Sequence, residues 1–136
     1  MVKKNLYKLA VGLMITALFS CDMFVQNHFV GTWETVYVQP EGGRDFYYVR
    51  TYTFEENMTG TYTYKAYAGT KLDEEQLAYD ELYSFTYTYD EKTKELTLNI
   101  KFEDGSYPWV YDYDFSSRYK ILYLTRNNDS HPYEKK

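Results

Sequence analysis

The chain of 136 residues has room for one domain, and 44% hydrophobic with 26% charged residues place it among ordinary globular proteins. A formal net charge of -5 excludes nucleic-acid backbones and anionic headgroups as the main partner, since both are repelled at long range, and a lone cysteine excludes an intramolecular disulfide. The outlier is aromatic content, 21% with 18 Tyr against 8 Phe and 2 Trp, an excess that strands accommodate better than helices.

At the N-terminus Lys3, Lys4 and Lys8 make a positive segment ahead of an apolar run over residues 9–19. A transmembrane helix needs about 20 apolar residues. This run is shorter and ends in Ser20, Cys21 and Asp22 rather than in a basic stop-transfer cluster, so residues 1–20 are expected to be an export signal. Leu18-Phe19-Ser20-Cys21 carries an aliphatic residue three before the cysteine and a small one directly before it, and it resembles the lipobox of bacterial lipoproteins. The resemblance implies cleavage before Cys21 and lipidation of Cys21 with fatty acyl chains such as palmitate. It also implies a location in the cell envelope, held to a membrane, with residues 21–28 as a tether. Loss of three lysines and no acid then moves the charge from -5 to -8, so attachment comes from the lipid rather than from the protein surface. Asp22 resembles the inner-membrane retention signal of some bacteria, which leaves the inner or outer membrane, and the periplasmic or cell-surface side, open.

From residue 31 the chain alternates in the manner of short strands, the signal for an all-β sandwich or barrel. In order come Trp33, Thr35 and Tyr37, then Phe46, Tyr48, Arg50, Tyr52 and Phe54, then Tyr62, Tyr64 and Ala66. Residues 70–82 interrupt the period of two. Leu72, Leu77, Tyr79 and Leu82 are scattered among acids, and Thr70 stands three before Asp73 like a capping box, so a short helix is expected there. Alternation resumes with Phe85, Tyr87 and Tyr89, is cleanest at Leu96, Leu98, Ile100 and Phe102, continues through Trp109, Tyr111, Tyr113 and Phe115, and closes at residues 119–125. Gly42-Gly43, residues 57–60, residues 90–94 and Asp104-Gly105 supply the turns, because Gly, Asn and Asp tolerate positive φ. The short links imply an antiparallel meander, with residues 127–136 as a polar tail.

Gly31-Thr32-Trp33 opens the first strand directly after residues 27–30, and Tyr52-Thr53-Phe54 and Met58-Thr59-Gly60-Thr61-Tyr62 follow in a succession of hairpins. This resembles the Gly-x-Trp start and hairpin order of lipocalins and of small bacterial lipocalin-like domains, over residues 29–126. The resemblance implies an up-and-down β-barrel of about seven or eight strands, in which Arg126 packs across Trp33 as a structural contact. An incomplete barrel or a two-sheet sandwich is the alternative.

Catalytic and metal chemistry find little footing. His28 lies beside the tether and His131 in the polar tail, where a solvated surface histidine is expected, so no base is placed for Ser or Thr attack. Asp112 and Asp114 share one strand face, but that face is opposite Trp109, Tyr111 and Tyr113 and is expected to meet solvent. No loop has the ligand spacing of a calcium or zinc site. The expectation is a protein that is not an enzyme and carries no cofactor or metal. Tyr48, Tyr52, Tyr62, Tyr64, Tyr87, Tyr89, Tyr111 and Tyr113 fall on one sheet face, where they either fill a solid barrel or line a cup for a small apolar or aromatic molecule. Two functions stay open: a ligand-binding module with residues 70–82 as a lid, or a solid-cored surface protein whose Tyr-rich strands meet a protein or glycan.

Overall fold

The computed structural model describes residues 26–69 and 77–136. The expected signal segment, Cys21 and residues 70–76 of the expected helical insertion lie outside the described residues.

Eight antiparallel strands, each bonded to the next in chain order, form one closed up-and-down barrel. They are β1 (Gly31–Glu41), β2 (Arg44–Phe54), β3 (Thr59–Ala68), β4 (Leu77–Asp90), β5 (Glu95–Phe102), β6 (Gly105–Phe115), β7 (Ile121–Arg126) and β8 (Asp129–Lys135). A single 3-10 turn, Ser117–Tyr119, links β6 to β7. The alternation is realised most sharply in β5, where Leu96, Leu98 and Ile100 are fully buried and Glu95 and Lys101 are exposed. Gly42 and Gly43 both take positive φ, 58° and 80°, which gives the β1–β2 hairpin the twist its strands require. Asn127 and Asn128, at 52° and 63°, do the same between β7 and β8.

Gly60 faces Phe85 across β3 and β4, and a Cβ there would stand 2.5 Å from the Phe85 ring and overlap the Thr53 carbonyl. Only a glycine lets that ring cross the strand.

The barrel has a closed end and an open end. At the closed end Phe29, just before β1, inserts its ring among Tyr113, Phe115 and Tyr89, with centroids 4.8, 4.9 and 5.0 Å away. The plug is pinned by hydrogen bonds: the Trp33 indole Nε1 donates to the Phe29 carbonyl at 2.7 Å, and Asn27 Nδ2 donates to the Tyr87 hydroxyl at 2.8 Å. Asn27 and His28 thus belong to the folded domain rather than to the tether, with His28 stacked on Tyr119 at 3.5 Å. Each such fully buried aromatic ring stabilises the fold by about 1.5–3 kcal/mol.

Three further expectations need correction. Residues 127–136 are not a tail, because Asp129–Lys135 is β8, the strand that closes the barrel. Residues 77–82 are not helical either; they begin β4, paired with β3 through Tyr67↔Leu77 to Thr63↔Leu82. The alternation is disguised there because Leu82 points to solvent at 69% exposure while the acid Glu81 is half-buried. Finally, Arg126 does not cover Trp33. Since β8 stands between β7 and β1, the cation over the Trp33 ring is Lys135, at 5.2 Å, opposite Trp33 in the register, and Arg126 lies 4.9 Å over Trp109.

Candidate functional site

Packing differs along the barrel axis. Toward the closed end the barrel is filled by Trp33, Phe54, Tyr87, Leu96, Leu98 and Leu122, with one hollow left beside the Phe29 plug. Toward the open end, where the β1–β2 and β3–β4 connections lie, the inward side chains leave space. A cavity of about 260 Å³ is floored by Tyr52, Tyr111, Tyr133 and Leu124 and walled by Tyr62 and Trp109. A second of about 200 Å³ shares Arg50, Tyr62 and Trp109 with it and continues past Tyr64 to Tyr83 and Phe102. Together they form one aromatic cup with Arg50 at the junction.

The expected tyrosines divide by height. Tyr52, Tyr62 and Tyr111 line the larger cavity, with Tyr52 and Tyr111 joined hydroxyl to hydroxyl at 2.9 Å and Tyr62 stacked on Tyr52 at 4.7 Å. Tyr64 lines the adjoining space, and Tyr48 stacks on Tyr64 at 5.6 Å while donating to Glu41 Oε1 at 2.7 Å. Tyr87, Tyr89 and Tyr113 are not in the cup. They sit at the opposite end around Phe29, where Tyr89 and Tyr113 border a separate hollow of about 300 Å³ with His28 and Tyr119. Alternation along a strand assigns a face but not a level, so the eight rings looked equivalent. Asp112 and Asp114 are exposed on the outer face.

Sequence reasoning passed over the charged members of the cup: Arg50, Arg126, Asp129 and His131. The signal was present in β2, whose inward series Phe46, Tyr48, Arg50, Tyr52 and Phe54 places a guanidinium among rings. Arg50 Cζ lies 4.9 Å from the Tyr37 centroid and 5.6 Å from that of Tyr64, close enough for cation–π attraction. Its Nε is buried with no hydrogen-bond partner, and among the described residues no carboxylate comes within ion-pair distance of Arg50. The two acids that face the cup are engaged elsewhere. Asp129 holds His131 at 2.9 Å, and Glu81 accepts from the Tyr79 hydroxyl.

Burial shifts the phenols upward. Tyr52 lies well above the ordinary tyrosine value, chiefly through burial and then through the neighbouring Tyr133 and Tyr111. Tyr133 is pushed up to about 12 by burial, with Arg50 drawing it partly back. The sign follows: below pH 10 these phenols are neutral in both states, while above it the unfolded chain loses protons that the folded chain keeps. Stability is therefore expected to stay flat up to about pH 10 and to fall between about 10 and 12, by about 3 kcal/mol for Tyr133 alone. Urea midpoints across that window, followed together with phenolate absorbance, check this. All tyrosines titrating at the ordinary value, with an unchanged midpoint, would refute it.

Comparison with protein-family models, with curated proteins and with solved structures finds no match to this chain.

Proposed function

We propose that this chain is a lipid-anchored protein of the bacterial cell envelope whose lipocalin-like barrel binds a small apolar or aromatic molecule in the cup at its open end. The observation that carries the reading is the cup at the open end, opposite the Phe29 plug: two adjoining spaces of about 260 and 200 Å³, lined by aromatic rings and Arg50, that the inward side chains leave unfilled. A barrel packed only for stability gains nothing from such space, because voids forfeit contact energy. The proposed anchor fits this polarity. Five residues from Cys21 to Gln26 span at most about 18 Å, and Gln26 to Phe29 lie at the closed end. An acyl chain on Cys21 thus turns the closed end toward the bilayer and the cup away from it.

The solid-cored alternative draws on the outer wall. Val36 and Val38 of β1 are 45% and 48% exposed, on a stretch of that strand with no partner in β8. Such an edge suits pairing with another chain.

Native mass spectrometry of a Cys21→Ser form starting at residue 21, compared with its denatured mass, separates the two readings. The expected result is a bound adduct of low mass that an added apolar dye displaces, and partition of Cys21→Ser precursor into the soluble fraction. Equal masses together with a dye that stays dark on the folded protein would move the search to protein or glycan partners.

A further inference from the structure

Among the described residues the cup holds a half-buried cation, Arg50, that no carboxylate pairs. A buried charge is tolerated when it is paired and hydrogen-bonded, and it is costly otherwise. Arg50 points inward from the middle of β2 and is half-buried; the Tyr133 hydroxyl and the ring faces of Tyr37 and Tyr64 attract it, but its Nε is buried without a partner. Neither nearby acid completes it, since Glu81 is turned to Tyr79 and Asp129 to His131. Across the cavity Arg126 sits over Trp109 and adds a second positive charge to the wall.

We propose that the cup is an anion site, in which the Arg50 guanidinium receives the acid group of a small aromatic monocarboxylate whose ring lies against Tyr62, Trp109 and Leu124. The planar fork of arginine matches a carboxylate with two parallel N–H donors, and such charge-assisted bonds are stronger than neutral ones. The surrounding rings stack on the aromatic body of the ligand. Size bounds the class further: the two adjoining spaces, of about 260 and 200 Å³, have room for one compact molecule at the low end of the range of about 300–1,000 Å³ typical of ligand pockets. The net negative charge of the chain disfavours polyanions at long range and leaves recognition to the short-range contact at Arg50.

This inference rests on the binding reading above, and the test separates them. Titrating the Cys21→Ser form starting at residue 21 with 1-naphthoate and with its neutral analogue 1-naphthalenemethanol, at neutral pH, reads Trp and Tyr fluorescence. The expected result is at least about tenfold tighter binding of naphthoate, from a charged hydrogen-bonded contact of about 1.5–3 kcal/mol. Arg50→Met is expected to abolish that preference while the neutral probe still binds. Arg50→Lys, which keeps the charge but loses the fork, is expected to retain only part of it and serves if Arg50→Met does not fold. Equal affinity for both probes, unchanged by either variant, overturns the anion site and leaves the cup as a binder of neutral molecules. Failure of both probes to bind the unaltered protein overturns the binding reading itself.

Discussion

A chain ended at Asn128 is expected to lose cooperative folding. The cut removes β8, and with it six residue pairs to β7 and the two pairs to β1 that close the ring. It also removes Tyr133, which is 2% exposed and packs edge-on against Tyr52 at 5.2 Å, and the Lys135 ammonium over Trp33. The Lys135 amide to Lys120 and the Lys136 amide to the Thr32 carbonyl are lost as well. Burial of Tyr133 alone is worth about 1.5–3 kcal/mol, and each backbone bond about 1 kcal/mol. Their sum is comparable to the whole stability of a small domain, about 5–15 kcal/mol. The truncated chain also exposes two unpaired edges, on β7 and β1, that invite aggregation. Near-ultraviolet circular dichroism and a urea titration measure the outcome. A sharp transition at the full-length midpoint would show that β8 is dispensable.

Trp33→Ala is expected to cost about 3–5 kcal/mol, the range for removing a large aromatic side chain from a packed core. Trp33 is fully buried, contacts Phe115 at 5.7 Å and fixes the plug through its bond to the Phe29 carbonyl. Its loss therefore opens a cavity and also frees Phe29, whose ring touches five others. Trp33→Phe separates the two effects, because it keeps most of the apolar volume and leaves the Phe29 carbonyl unpaired, at about 1–3 kcal/mol. Urea midpoints of the two variants read the difference directly. A Trp33→Ala shift below about 1 kcal/mol would mean that the closed end is not a packed core.

The period of two carried most of the fold. In β1, β2, β5 and β6 the inward residues are the ones the alternation singled out, and the Gly-Gly and Asp-Gly turns sit where glycine and short polar residues were expected. What escaped was whatever broke the apolar-in rule. In β8 only Tyr133 is a buried apolar residue, and Pro132 has no N–H to give to a ladder. It is tolerated because it lies above the seam, where no β1 bond is asked of it. With β8 unseen, Arg126 seemed to be the neighbour of Trp33. Arg50 escaped as a site residue for a related reason: a cation at an inward position reads as an exception to packing, whereas the cup is built around it. The level of each tyrosine along the barrel depends on register and on the Phe29 plug, which no local pattern encodes.

The thin seam between β1 and β8 also sets the order of events in time. Seven of the eight strand pairings join neighbours along the chain and form as hairpins, each after a short search. The eighth joins the two ends of the domain, must close the longest loop, and is rewarded by two residue pairs. Nearly the whole meander is therefore expected to assemble before the ring exists, as an open sheet that curls. The final step is then expected to be the docking of β8 and its single buried ring, Tyr133.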